Sequence, residues 1–186
     1  ERKSTIIYGN PGFFVVQLWK NRVWALERTG DLGILEDGKF KVIKSYPQLK
    51  GAEVRKLFLH NDLLHILLFT GKVLRFDGNT LSSMPLAEKV DGDALFSAHS
   101  YHNQQLMFGS VSNGLLQVKG DGSKILANIN ASNGLIDNTV LSIGEDINGN
   151  LWLGLDYGIA YVEMQNALRP IFDRGATYGI EDWNNN

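Results

Sequence analysis

The sequence predicts an all-β fold: a β-propeller fragment of about four four-stranded antiparallel blades, with partial strands at both ends. The chain of 186 residues contains 20 glycines and only 4 prolines, which is typical of many short strands joined by tight turns. Strand-length apolar runs recur along it, and no long helical period appears. These runs repeat every 36 to 45 residues, which is the length of a four-stranded propeller blade.

The repeat is clearest when strand–turn–strand units are aligned on their glycines. Gly109 and Gly154 each close a short apolar strand and are 45 positions apart. The Asp-Gly turns that end at Gly38 and Gly78 are 40 positions apart. A β-sandwich has strands of similar length but no fixed period, so the repeat favours a propeller.

The blades follow one another in chain order, each with three clear strands and a weaker fourth. We expect the partial strands to belong to a trailing and a leading blade of a longer propeller. Because such a fragment leaves its terminal blade faces uncovered, we expect it to self-associate through its blade edges. The predicted blades are 13–45, 54–85, 94–130 and 139–173, and the partial strands are 3–8 and 177–183.

Large side chains stand at similar positions in three of the second strands. They are Trp24, Phe108 and Trp152. We expect each to fill the wedge between adjacent blades, where burial stabilises the fold by about 2–3 kcal/mol per ring. A sugar-stacking platform is the alternative role for these rings.

The segment 146–149, Asp-Ile-Asn-Gly, has the composition of a tight hairpin turn. The side chain of Asp146 can accept backbone N–H groups, and Gly149 tolerates a positive φ. A calcium loop would require more carboxylates at alternate positions. The segment therefore predicts a structural turn.

Composition excludes several classes of function. The net charge is −2, and no basic stripe is present that would neutralise phosphates, so nucleic-acid binding by this segment is not expected. The chain has no cysteine, which excludes disulfides, a thiol nucleophile and cysteine-ligated metals. No apolar run approaches the roughly 20 residues that span a bilayer, so membrane attachment would occur only through domains outside this segment.

No catalytic or metal site is predicted, and no cofactor. The four histidines are His60, His65, His99 and His102. The pair His99-x-x-His102 flanks a hairpin, but a metal would need a third ligand nearby, so we interpret the histidines as surface residues. No Gly-x-Ser-x-Gly elbow and no phosphate-binding loop before a helix occurs.

Candidate ligand-binding residues lie in loops that a propeller would bring to one side of its blades. These are the loops between second and third strands and the connections between blades. Tyrosine together with Asp, Asn and Arg suits an oligosaccharide or another polar small ligand, through stacking and directed hydrogen bonds. The residues we select are Arg28, Asn113, Asn138, Asp156 and Tyr157.

One unit, residues 133–159, resembles the two-component regulator propeller repeat. Its matching residues are Asn133 to Asn138, Val140, Ile143, Glu145, Asp146, Gly149, Leu151 to Gly154, Gly158 and Ile159. This match covers about a sixth of the chain. Leu155 stands where threonine is usual, and the earlier units lack the Trp-x-Gly signature.

The resemblance implies a periplasmic sensor segment of a bacterial two-component or related regulator, as found in Bacteroidetes. It implies recognition of a ligand without catalysis, within a membrane-anchored protein whose histidine kinase or DNA-binding output domain lies elsewhere. Two other functions stay open. One is a propeller scaffold for protein–protein interaction or dimerisation, and the other is a propeller lyase or hydrolase, which requires converging acids or histidines.

Overall fold

A computed structural model of the chain describes residues 13–87, 90, 94–164 and 169–172. These residues form four separate antiparallel sheets, each built from four strands that are consecutive in the sequence. The only helical element among them is a short 3-10 turn at Pro47–Leu49. The predicted partial strands at 3–8 and 177–183 lie outside the described residues.

The strands follow the chain order within every sheet. The first sheet contains β1 (Phe13–Trp19), β2 (Arg22–Glu27), β3 (Asp31–Glu36) and β4 (Lys39–Ser45). The second contains β5 (Val54–His60), β6 (Leu63–Leu68), β7 (Val73–Phe76) and β8 (Leu81–Ser83). The third contains β9 (Leu95–Tyr101), β10 (Gln105–Ser110), β11 (Leu115–Lys119) and β12 (Ile125–Ile129). The fourth contains β13 (Val140–Glu145), β14 (Leu151–Leu155), β15 (Ile159–Val162) and β16 (Arg169–Phe172).

The first strands of the four sheets lie next to one another, β1 beside β5, β5 beside β9 and β9 beside β13. The sheets therefore converge at their first strands, as blades do around a propeller axis. Each pairing of a first and a second strand also contains one register shift near the start of the first strand. The all-β propeller fold predicted from the repeat is confirmed.

Apolar side chains fill the space between neighbouring sheets in three clusters. Trp24 and Phe76 belong to the cluster between the first and second sheets. Phe58 belongs to the cluster between the second and third sheets, and Met107 and Leu153 to that between the third and fourth. A sheet is thus stable only with a neighbour against it, because apolar residues on both of its faces need cover.

The three large side chains of the second strands do not occupy equivalent positions. Each sheet has a forward face, towards the next sheet in the chain, and a back face, towards the previous one. Trp24 lies on the forward face of the first sheet, whereas Phe108 lies on the back face of the third sheet. Met107 is the residue of that strand that faces forward. Trp152 is half-buried on the forward face of the fourth sheet, against Tyr161 at 4.9 Å between ring centroids. The predicted equivalence was wrong by one residue at Phe108, and in a strand a one-residue offset reverses the face.

The turn at 146–149 forms as predicted. The Oδ1 atom of Asp146 accepts the backbone N–H groups of Asn148 at 2.8 Å and Asn150 at 2.9 Å. Gly149 adopts a φ of 78°, which a residue with a side chain rarely adopts. The carboxylate is therefore part of the hairpin.

The first strand of each sheet is its inner strand. In the first three sheets, the last residue of the inner strand reaches into the following sheet. All three side chains donate a hydrogen bond to a backbone carbonyl in a turn of that sheet. They are Trp19 Nε1 to Asp62 O at 2.9 Å, His60 Nε2 to Gly120 O at 3.1 Å and Tyr101 Oη to Gly149 O at 2.8 Å. Three chemically different residues thus make the same connection between sheets, which no residue pattern in the sequence reveals.

Two tyrosines allow this connection to be tested by removal of the same atom at two places. The hydroxyl of Tyr101 donates to Gly149 O, whereas the buried hydroxyl of Tyr46 has no hydrogen-bond partner in the described part of the chain. We expect Tyr101→Phe to lower the free energy of unfolding by about 1 kcal/mol, the typical net value of one hydrogen bond. Tyr46→Phe should leave it unchanged or raise it slightly. Urea denaturation measures both, and an equal loss in the two variants would contradict the connection.

Candidate functional site

The turns after each second strand and the connections between sheets lie on one side of the sheets, which we call the connection face. It contains the turns at 28–30, 69–72, 111–114 and 156–158, and the connections at 46–53 and 130–139. The first strand of every sheet starts at this face because the strands alternate in direction. The two loop sets selected from the sequence therefore share one side.

Asn113 and Asn138 lie close together on the connection face. The N–H of Gly114, the residue after Asn113, donates to the carbonyl of Asn138 at 2.8 Å. The Oδ1 atom of Asn138 accepts the N–H of Ala131 at 2.7 Å. Asn138 therefore holds the connection between the third and fourth sheets in place, and its side-chain oxygen is used for that purpose.

Asp156 and Tyr157, in the fourth sheet, contact the same connection between the third and fourth sheets. The N–H of Asp156 donates to Thr139 O at 3.1 Å, and the N–H of Tyr157 donates to the carboxylate of Asp137 at 3.2 Å. The side chain of Tyr157 is 64% exposed. Four of the five selected residues thus form one continuous surface across the third and fourth sheets, which we call the band. They are Asn113, Asn138, Asp156 and Tyr157.

Asp137 organises this surface, although it was not among the selected residues. One carboxylate oxygen accepts the N–H of Thr139 at 3.0 Å and the other accepts that of Tyr157. The first bond spans two residues, which is an Asx-turn. The spacing Asp137-x-Thr139 is the signal for it in the sequence, whereas the bond to Tyr157 depends on the fold.

Arg28 lies apart from these four residues. It occupies the turn between β2 and β3 in the first sheet, where its carbonyl accepts the N–H of Gly51 at 3.4 Å. The second sheet stands between it and the third. Arg28 therefore shares the connection face with the other selected residues but not their band.

A cleft of about 610 Å³ opens beside the band, on the third sheet. Its described lining residues are Asn113, Leu116, Ile125 and Asn128. Leu116 and Ile125 also contact the apolar cluster between the second and third sheets, so the cleft lies at that boundary. The volume falls within the range of about 300–1,000 Å³ that is usual for small-molecule sites. Sequence reasoning found Asn113 but missed the other three, because only the β11–β12 register brings Leu116 opposite Asn128.

Two histidines are buried, so the expectation of surface histidines was wrong for them. His60 and His65 are each only 2% exposed. His65 stacks on Phe58 at 5.1 Å between ring centroids, and its Nδ1–H donates to Leu63 O at 3.2 Å. Burial is the main reason that the pKa of His65 falls to about 4, and nearby His60 and Arg75 lower it further. This histidine is a neutral core residue.

The other two histidines share one carboxylate. His99 Nε2 lies 2.7 Å from one oxygen of Glu145, and His102 Nε2 lies 3.2 Å from the other. His99 is partly buried, in contrast to the surface position expected for it, whereas the side chain of His102 is 58% exposed. His99 in β9 and His102 in the turn after it thus both contact the end of β13, opposite the connection face. In the described residues no group of three or more His, Asp or Glu side chains is arranged to hold a metal ion.

Comparison with known proteins adds solved structures to this description. No protein-family model matches the sequence, and no curated protein matches it. The structure is similar to the extracellular domain of the putative hybrid two component system BT3049 from B. thetaiotaomicron, with a TM-score of 0.67, 19% identity and coverage of 84% of this chain and 22% of that one. The extracellular domain of the putative one component system BT4673 from the same organism has a TM-score of 0.65 and 14% identity, with 86% of this chain and 25% of that one covered.

A third similar structure is an enzyme. Virginiamycin B lyase from Staphylococcus aureus gives a TM-score of 0.65 at 16% identity, with 88% of this chain and 56% of that one covered. The chain thus spans about a quarter of the two extracellular domains and just over half of the lyase. At these identities the comparisons show the fold, and at that level they confirm the resemblance found in the 133–159 unit. The described residues contain no helix with the length and apolarity needed to cross a membrane.

The buried His65 predicts how stability depends on pH. Its pKa is about 4 in the folded chain, below the ordinary value of 6.5. Between pH 4 and pH 6.5 the unfolded chain therefore binds a proton at this residue that the folded chain does not bind. Stability is therefore fully present above pH 6.5 and falls as the pH drops towards 4. We expect a loss of about 2–3 kcal/mol by pH 4.5, since each pKa unit corresponds to about 1.4 kcal/mol.

The measurement is the free energy of unfolding from pH 7.5 to 4.5 in wild type and in His65→Phe, which keeps an aromatic ring against Phe58. The variant should lose the His65 part of the pH dependence. His102→Gln, at an exposed histidine, is the control for general effects of acid. A variant with the same pH dependence as wild type would contradict the assignment.

Proposed function

We propose that this propeller segment belongs to an extracytoplasmic sensor of a bacterial two-component or related regulator. It recognises an oligosaccharide or another polar small ligand and performs no catalysis. The domains that anchor the sensor to the membrane and transmit the signal lie elsewhere in that protein. The single observation that carries ligand recognition is the cleft of about 610 Å³ beside the band of polar loops.

The cleft combines two kinds of surface that suit a sugar. Asn113 and Asn128 line it, and the amide group of an asparagine both donates and accepts hydrogen bonds, as sugar hydroxyls require. Leu116 and Ile125 give it an apolar wall against which the C–H face of a sugar ring can pack. The fold it shares with extracellular domains of Bacteroides signalling proteins supports the sensor role.

The position of the cleft suits a role in signalling. Leu116 belongs to the cluster that joins the second and third sheets, so a ligand that contacts it favours one arrangement of this boundary. A ligand shifts a conformational equilibrium by as much as its affinities for the two states differ.

Calorimetric titration with a panel of neutral di- to tetrasaccharides tests the proposal. A member of the panel should bind wild type, and the double variant Asn113→Ala/Asn128→Ala should weaken its binding about tenfold, equivalent to about 1.4 kcal/mol. Asn148→Ala is the matched control because Asn148 is exposed in a turn on the opposite side of the sheets. Equal loss in the control, or no response to any polar ligand in the full-length sensor, would contradict the proposal.

A second candidate function, assembly, is favoured by the outer face of the first sheet. The side chains of Val16, Leu18, Val23 and Val42 are 54%, 60%, 38% and 48% exposed. They lie on the face away from the second sheet, because Val15 and Trp24, their neighbours in the strands, face the cluster with that sheet. We propose that a second copy of this chain covers this face, as each following sheet covers its predecessor within the chain.

Sedimentation velocity of the chain over a range of concentrations tests this assembly. Wild type should associate, and Leu18→Arg should shift it to the monomer because a buried, unpaired charge is strongly unfavourable. Ile147→Arg adds the same charge at a residue that is 95% exposed, in the turn between β13 and β14, and should leave association unchanged. A wild type that stays monomeric at all concentrations would exclude the second copy as the partner.

A further inference from the structure

Arg55 holds an unusual position on the connection face. Its guanidinium carbon lies 4.2 Å from the ring centroid of Phe69 and 4.8 Å from that of Phe96. Both rings are half-buried. Phe69 follows β6 in the same sheet, whereas Phe96 lies in β9 of the third sheet. The cation therefore sits against two aromatic rings at the boundary between the second and third sheets.

The hydrogen-bonding groups of this arginine are only partly used. Its Nη2 donates to Glu53 Oε1 at 3.0 Å. Its Nε is buried and has no hydrogen-bond partner among the described residues. A buried donor without a partner is unfavourable, and such groups in native structures are few and call for an explanation.

The carboxylate that Arg55 now contacts is held weakly. The side chain of Glu53 is 63% exposed, whereas that of Arg55 is 26% exposed. Ion pairs with an exposed partner contribute little to stability, so Glu53 can be displaced easily. The rings hold the guanidinium in place, and its partner is the exchangeable part of the arrangement.

We propose that Arg55, Phe69 and Phe96 form a binding site for an acidic sugar, with Arg55 receiving its carboxylate or sulfate group. This rests on the proposed function and gives its ligand class. Glu53 occupies the position of that group when no ligand is bound. The site lies near the start of the inner strand β5, on the same boundary as the cleft at Leu116.

The chemistry of the three side chains favours this ligand class. A guanidinium presents its N–H groups in one plane and matches the two oxygens of a carboxylate or sulfate. The guanidinium lies over both rings, which orient it, and its Nη2 points to Glu53. The remaining surface of the half-buried phenylalanines is apolar and suits the C–H face of a sugar ring. Recognition of the acid and of the ring thus comes from adjacent groups.

Calorimetric titration with digalacturonate and with a sulfated disaccharide, each beside its neutral counterpart, tests the site. Wild type should bind at least one acidic sugar more tightly than its neutral form, with an affinity that falls as salt rises. Arg55→Gln should weaken this binding at least tenfold, and Arg55→Lys should weaken it less. Arg75→Gln is the matched control, because Arg75 lies in the same sheet with its Nε donating to Ser82, and it should have no effect.

A second variant tests the site in the opposite direction. Glu53→Gln removes the competing carboxylate at an exposed position, where folding should be unaffected, and should raise affinity for the acidic sugar several-fold. A purely structural arginine stack predicts instead that Arg55→Gln lowers the melting temperature while Glu53→Gln leaves affinity unchanged. That result would overturn the proposal. Equal binding of acetate or inorganic sulfate alone would overturn the sugar part of it.

The outcome can be separated from that of the proposed function. If the cleft variant Asn113→Ala/Asn128→Ala abolishes binding of a neutral sugar while Arg55→Gln changes nothing, the sensor proposal stands and the acidic-sugar site is wrong. If acidic sugars bind in a manner that depends on Arg55 and not on the cleft, the acidic-sugar site stands and the cleft is not the site of recognition.

Discussion

Burial of both faces of every sheet is the constraint on which the rest of this structure depends. No single four-stranded sheet of the chain can cover its own apolar residues, so each is stable only against its neighbours. The clusters around Phe76, Phe108 and Leu153 supply this cover between successive sheets. Side chains at the ends of the inner strands then connect each sheet to a turn of the next. Position in the strand, rather than residue type, is what these connections have in common.

The fold was predictable because it depends on features that recur. Glycines, tight turns and apolar runs repeat at a nearly constant interval, and a regular interval identifies a propeller even where individual strands are weak. The face on which a side chain lies was less predictable. Phe108 was assigned to the wrong side because it stands one residue before Gly109, whereas Trp152 stands two residues before Gly154. An offset of one residue between two strands leaves little trace in a single sequence, and its effect is to exchange the two faces.

The candidate site was predictable only in part, for a related reason. Loops could be assigned to one side from strand alternation, and four of the five selected residues do lie together there. Their individual roles could not be read from the sequence. Asn138 and Asp137 use their oxygens to hold neighbouring backbone, whereas Leu116, Asn128 and Arg55 come from strands. A search restricted to polar loop residues therefore finds the surface but misses the groups around its cleft.

The boundary between the second and third sheets contains both proposed recognition sites and contacts that hold the sheets together. It contains the cleft at Leu116, the arginine stack of Arg55 on Phe96, and the bond from His60 to Gly120. A ligand that bridges two sheets must change how strongly they are held together, because its contacts exist only in one arrangement of the pair. A site inside a single sheet would have no such effect. The recognition that we propose at this sheet boundary would thus give a rigid, repetitive fold a physical means of transmitting a binding event.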